Sequence, residues 1–263
     1  MNGLRALIRK ELAVIFLSPV AYGVLVMMAL VTSLVFFEHL RLYNQILFVF
    51  ASSTMGGFES DTIPDHINLR DTVFNPVMDQ LSLLLIIPIP LVTMRVFAEE
   101  RSRGTDEWLV TTGLSASQIV LGKFAVTLGF IVLMMVVSFV YPVTAIAQGG
   151  LGIQHLVAVF LGLTLLAIGI AAIGLACSSF TTSQIIAAAA TVAISYVLYD
   201  FGWAHAFVSE EFAGFLDAIS LRTHFRSFAE GMIFLDDIVY FAGVTAIAFS
   251  LCHTAQNLRR VTG

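Results

Sequence analysis

The sequence predicts an all-α integral membrane protein. It should have six transmembrane helices, an N-terminal amphipathic helix lying in the membrane plane, and short re-entrant or interfacial helices before the last span. Three observations carry that prediction. Of the 263 residues, 58% are hydrophobic and only 12% charged, with a mean hydropathy of +0.92; ordinary soluble domains are roughly 45–50% apolar. Several apolar runs approach or exceed the ~18–20 residues that cross about 30 Å of hydrocarbon. None of these runs alternates with the period of two that a barrel strand needs, and helices are the other way for a backbone to satisfy itself in lipid.

In chain order, residues 3–16 have helical periodicity, with Leu4, Leu7, Ile8, Leu12 and Ile15 on one face and Arg5, Arg9 and Lys10 elsewhere. A basic amphipathic helix ahead of a span predicts an element in the headgroup plane; the plainer alternative is a positively charged flank. Ser18-Pro19 punctuate, and the first span covers Val20–Phe37. No A-x-A-type site follows it, so a cleavable signal is not expected. Glu38–Asp79 is a long loop whose apolar piece, Leu42–Ala51, is too short to cross and is expected to form a separate surface or re-entrant helix. The second span, Gln80–Phe97, contains Pro88 and Pro90 and should kink.

The third span is Phe124–Ala147, followed by a tight turn at Gln148-Gly149-Gly150. The fourth is Gln154–Cys177, with Ala167, Ala171, Gly174 and Ser178 on one face, small residues that let helices approach closely in lipid. After a polar turn over Ser178–Ser183 comes the fifth span, Gln184–Phe201. Residues 202–237 mix apolar patches with charges and predict two short helices at the outer interface. The sixth span is Ile238–His253, with Arg259-Arg260 beyond it. The whole of 1–263 is expected to be one transmembrane domain.

Charge orients this arrangement. Six spans put both termini on one side with the Arg95–Lys123 loop. That side holds Arg5, Arg9, Lys10, Arg95, Arg101, Arg103, Lys123, Arg259 and Arg260; the other holds Arg41, Arg70, Arg222 and Arg226. The bias predicts cytoplasmic termini and leaves an acidic outer surface.

The Arg95–Lys123 loop is charge-rich in a charge-poor chain. Glu99, Glu100, Arg101 and Arg103 precede Gly104, which suits a left-handed helix end. Thr105 is placed to cap a new helix over Asp106–Thr112, with Asp106 and Glu107 in its first turn and Trp108 and Leu109 behind them. A turn at Gly113-Leu114-Ser115 leads to another helix start through Ser117 and Gln118 toward Lys123. Two readings fit these residues: a docking element, or a solvated connector that orients the chain.

Recognisable catalytic chemistry is missing. The stretch Ser117–Phe124 has a G-K pair but neither the leading glycine nor the Ser or Thr of a phosphate-binding loop. Glu99-Glu100 has part of the E-E-x-x-x-R pattern of intramembrane CAAX-type proteases, but Gly104 stands where the arginine should be. The histidines His39, His66, His155, His205, His224 and His253 do not pair at a metal spacing. Cys177 and Cys252 read as packing residues. Asp200, the best candidate for a buried ion-coupling charge, sits at a span end. No catalytic residue, metal site or cofactor is therefore expected in this chain, which disfavours an intramembrane enzyme or an ion-coupled carrier.

The run E-E-R-S-R-G-T-D-E-W-L-V-T-T-G-L-S-A-S-Q-I-V-L-G-K-F, residues 99–124, resembles the cytoplasmic coupling loop of ABC-transporter permeases of the type 2 exporter class. Glu100, Gly104, Thr105, Glu107, Leu109, Thr111, Gln118, Val120, Gly122 and Lys123 match its pattern, while Gly113 replaces a usual proline. The phrase K-E-L-x-x-x-F-x-S-P-x-x-Y, Lys10 to Tyr22, resembles the start of such permeases. The phrase F-x-S-x-A-x-G-x-I-x-L-x-D-x-V-Y-F, Phe225 to Phe241, resembles the branch of gliding-motility and nitrous-oxide-reductase-maturation permeases.

The resemblance implies a non-catalytic permease subunit that forms a translocation path in the cell's inner membrane. It implies that loop 98–122 docks in a cleft of a separate ATPase subunit, which would bind ATP and magnesium. Glu100, Arg103, Gly104, Thr105, Glu107, Trp108 and Leu109 would then be the coupling residues. The other implied partners are the bilayer, a second permease copy or sister permease meeting the first and fifth spans, and an extracytoplasmic accessory protein. Nucleic acid is not among them.

Overall fold

The computed structural model describes residues 2–55, 68–105, 114–141, 143, 152–204 and 207–262, and every regular element among them is helical. Helix α1 (Asn2–Leu17) is followed after Ser18 by α2 (Pro19–Met55). A π-helical turn, Arg70–Phe74, leads into α3 (Asn75–Leu84), and α4 (Pro88–Ser102) continues from it. Then come α5 (Ala116–Ser138), α6 (Ile153–Phe180) and α7 (Gln184–Tyr199). A 3-10 turn at Gly202–Ala204, two short helices α8 (Glu210–Ile219) and α9 (Leu221–Ala229), and the long α10 (Leu235–Thr262) complete the chain.

Among the described residues, five segments are long and apolar enough to cross a membrane: Pro19–Ser52, Arg70–Ser102, Ala116–Ser138, Ile153–Phe180 and Leu235–Leu258. The chain is a multi-pass membrane protein. The expected fifth span is α7, apolar but only 16 residues long, or ~24 Å at 1.5 Å per residue.

Three helices run past the span limits set by hydropathy. Leu42–Ala51 is not a separate helix but the continuation of the first, which runs unbroken for 37 residues. Glu38 and His39 end the lipid-like composition without ending the helix, since neither blocks backbone pairing; His39 Nδ1 lies 2.9 Å from the Val35 carbonyl oxygen on the preceding turn. Helix α5 begins at Ala116, eight residues before the apolar run, because Ser115 caps it there. The last helix starts at Leu235 and carries Asp236 and Asp237 in its first turn, where the positive end of the helix dipole favours them.

The proline pair does what its chemistry requires. α3 ends at Leu84, residues 85–87 form a turn, and Pro88 opens α4. Its missing N–H falls where a helix has no internal partner for one.

Helix α6 is the centre of the bundle, packing against α4, α5, α7, α9 and α10. Small residues permit this. A Cβ on Gly174 would meet Thr93 Oγ1 at 2.1 Å, and one on Gly162 would meet Phe228 Cβ at 2.3 Å. Ala167, Ala171 and Ser178 on the predicted face are fully buried. The Ser178 hydroxyl donates to the Met94 carbonyl (2.9 Å) and accepts from the amides of Phe97 and Ala98 (3.2 and 3.1 Å), so α4 is pinned to α6 by backbone as well as by shape.

α8 and α9 occupy part of the segment where two short helices are expected. α8 buries none of its residues, whereas α9 buries Leu221, Phe225, Phe228 and Ala229. Asp200 is ion-paired with Arg222 at 2.7 Å, both half-exposed, so it is a structural partner at the end of α7. Arg222 is held above the ordinary arginine value chiefly by that hydrogen bond.

Candidate functional site

The expected loop 98–122 begins inside α4, which runs on to Ser102, and ends inside α5, which starts at Ala116; the last turn of α4 is a Schellman arrangement. Gly104 has φ +65°. Its amide donates to the Arg101 carbonyl (3.2 Å), and the Thr105 amide donates to the Glu100 carbonyl (3.0 Å). The Thr105 hydroxyl also turns back to the Glu100 carbonyl, at 3.3 Å. The far root of the loop is equally fixed. Ser115 and Gln118 form a capping box, with Ser115 Oγ accepting from the Gln118 amide (3.2 Å) and Gln118 Oε1 accepting from the Ser115 amide (3.0 Å). The S-x-x-Q spacing that encodes this box accounts for the helix start expected after the Gly113-Leu114-Ser115 turn.

Between the two roots lies a buried charge cluster. Lys123, whose side chain is 1% exposed, donates to Glu11 Oε1 (3.0 Å), Glu100 Oε2 (2.8 Å) and the Val96 carbonyl (2.7 Å). Those are all three donors an ammonium has. Its Nζ also sits 5.2 Å from the Phe97 ring centroid, within cation–π range. Lys10 closes the cluster from outside, pairing with Glu11 at 3.2 Å and with Glu100. Burial works to lower the Lys10 pKa, but the hydrogen bond and charge of Glu100 and the charge of Glu11 outweigh it, so Lys10 stays above the ordinary lysine value. Beside this cluster, Glu99 binds Arg103 (2.7 Å) and faces Arg95 (3.4 Å), whose Nη1 donates to Ser18 Oγ (2.6 Å).

The cluster joins α1, α4 and α5. Gly122 explains how α1 comes so near: a Cβ there would meet Leu7 Cδ2 at 2.9 Å. The packed face of α1 also differs from the expected one. Leu7 and Glu11 are buried, while Leu12 is 41% exposed. Glu11 takes the inward place because its charge is met by Lys123.

Of the predicted coupling residues, Glu100 enters the cluster, Arg103 pairs with Glu99, and Gly104 and Thr105 form the end of α4. Glu107, Trp108, Leu109 and the expected helix Asp106–Thr112 lie outside the described residues. Lys123 and Glu11 were missed as cluster members; the G-K pair and the acidic residue inside the α1 pattern were their only traces in sequence.

Among the described residues, the arrangement joins three helices through paired charges. A family model described as "ABC-2 family transporter protein" matches residues 77–235, which run from α3 to the first residue of α10. No curated protein matches the chain.

Proposed function

Because this chain belongs to the ABC-2 transporter family, being matched over more than half its length, we propose that it is the permease subunit that couples a separate ATPase to movement of a substrate across the membrane. The family assignment makes it a transport membrane component and implies an ABC ATPase partner. The proposal adds that loop 98–122 faces the cytoplasm with both termini and docks in the ATPase. It also adds that α7 is the sixth crossing, that α8 and α9 lie at the outer interface, and that the chain pairs with a second permease through its first and fifth spans. The branch is that of gliding-motility and nitrous-oxide-reductase-maturation permeases, the direction is export, the membrane is the inner one, and ATP and magnesium belong to the partner.

One observation supports the coupling role above others: both roots of the loop are anchored in one buried ion cluster that also holds α1. A slack connector has no need of a fully buried lysine with every donor satisfied. With rigid roots, a displacement of the loop reaches α1, α4 and α5 instead of being absorbed at hinges. Glu100, Arg103, Gly104 and Thr105 shape the near root; Glu107, Trp108 and Leu109 are assigned the ATPase contact.

The test is co-purification of the tagged chain with its ATPase, followed by ATP hydrolysis and transport assays at matched membrane expression. Glu107→Lys and Trp108→Ala should leave insertion intact and reduce ATPase binding or transport. Wild-type binding and transport in both variants would remove the loop from the mechanism.

A further inference from the structure

The groove between α1, the start of α2 and α4 borders the loop's anchoring cluster, with Lys10, Glu11 and Glu100 on its wall. It encloses about 300 Å³, at the lower end of the ~300–1,000 Å³ typical of small-molecule sites. Its walls are of two kinds. The floor is apolar, built from Val14, Ile15, Ala21, Leu91 and Val92. The polar rim carries Arg95, Arg103 and Lys10 beside the carboxylates Glu11, Glu99 and Glu100.

The balance of charge at the rim has a sign. Lys10, Lys123, Arg95 and Arg103 are met by Glu11, Glu99 and Glu100, so one positive charge is left over among the described residues of the cluster. It resides on the Arg95–Glu99–Arg103 group, where one carboxylate serves two guanidiniums and Arg103 is 69% exposed.

The surroundings of the groove are those of a lipid surface. α1 is basic at its start, with Arg5 and Arg9, and apolar at its end, where Val14 is 50% and Leu17 83% exposed. An amphipathic helix of that kind lies at the headgroup–acyl boundary. A groove beside it with an apolar floor and a singly positive rim offers an acyl chain and a phosphodiester their separate environments.

We propose that this groove is a binding site for one anionic phospholipid of the adjoining leaflet, its acyl chain on the Val14–Ala21–Val92 floor and its phosphodiester at Arg95 and Arg103. The site needs only the membrane setting of the chain and does not depend on the coupling role above.

The test uses the purified full-length chain in detergent, titrated with phosphatidylglycerol, phosphatidylcholine or glycerol phosphate, with bound lipid counted by native mass spectrometry. One phosphatidylglycerol should be retained in preference to phosphatidylcholine, and glycerol phosphate alone should bind far more weakly. Arg103→Gln should weaken retention about fivefold, the worth of one cation near an anionic lipid surface. Val14→Trp, at a half-exposed position that does not threaten folding, should fill the groove and weaken it at least as much. Equal retention of the two lipids, binding of glycerol phosphate as tight as that of the lipid, or retention unchanged in both variants would each overturn the site.

Discussion

Lys123→Met is the substitution that most directly tests the reasoning about the loop roots. Methionine keeps most of the side-chain volume and removes the charge and all three donors. Glu11 and Glu100 then remain, 8% and 15% exposed, with only the half-exposed Lys10 to answer both. Removing one partner of a buried ion pair costs about 3–5 kcal/mol, because the other charge is left uncompensated. Lys10 offsets part of that, and its exposure discounts its share, so the expected loss is near the low end, about 3 kcal/mol. At ~1.4 kcal/mol per factor of ten, detachment of α1 should become on the order of 100-fold more frequent.

The assay is thiol labelling of a cysteine placed at Leu7, which is 4% exposed on the packed face of α1, in a background with Cys177 and Cys252 replaced by alanine. The labelling rate should rise by roughly that factor in Lys123→Met. Adding Glu11→Leu and Glu100→Gln to the same chain should restore slow labelling, since an apolar replacement of a whole buried cluster is often neutral. A Lys123→Met rate within about twofold of the parent would refute the claim that this lysine holds α1.

Gly104→Ala should cost about 1–2 kcal/mol from the left-handed backbone, since among the described residues no atom beyond its chain neighbours lies within 4 Å of the added Cβ; thermal unfolding in detergent measures it. Gly174→Ala should cost about 1–3 kcal/mol by overpacking, since its Cβ would lie 2.1 Å from Thr93 Oγ1; an added Thr93→Ala change, which removes that oxygen, should recover part of the loss. The raised Lys10 pKa fixes a pH dependence. Its stabilising contribution is complete below the unfolded-state lysine pKa and is lost as pH rises through the folded value, so release of α1, read by limited proteolysis, should increase only in the strongly alkaline range. Arg103→Gln should alter the thiol-labelling rate at Leu7 by less than about fivefold, because exposed pairs such as Arg103–Glu99 contribute only ~0.2–1 kcal/mol.

The membrane class, the approximate positions of the long helices, the proline break before Pro88 and the small-residue face of α6 were legible because each has a local signal: composition, run length, a missing N–H, or spacing on one wheel. The helix boundaries were mostly not, and for one reason. Hydropathy marks where a helix leaves lipid, whereas capping marks where it ends. α2 passes Glu38 and His39 with its backbone pairing intact and continues to Met55. The start of α5 is the exception: the turn at Gly113-Leu114-Ser115 already marked it, and the Ser115 cap sets it.

The core of the candidate site was illegible for a stronger reason, because its members are separated along the chain by about ninety and about twenty residues and only packing unites them. Glu11 in isolation is an acidic residue in a basic amphipathic helix, Glu100 one of several loop charges, and Lys123 the flank of a span. Each of these alone would be solvated. Glycine at 122 is what changes their meaning: it lets α1 settle against α5 closely enough that Leu7 fills the gap a side chain would occupy. Glu11, one helical turn beyond Leu7, is carried into the interior by the same contact. A carboxylate there demands a cation, and Lys123, adjacent to that glycine, supplies it. The close approach and the buried pair are therefore one structural decision. Gly122→Ala consequently predicts both consequences at once: a methyl placed 2.9 Å from Leu7 Cδ2 pushes α1 outward and lengthens the Glu11–Lys123 pair, so it should speed labelling at Leu7 although no charge has been changed. If Gly122→Ala left that rate at the parent value while Lys123→Met raised it, packing and pairing would be independent, and the glycine would have no part in burying the charge.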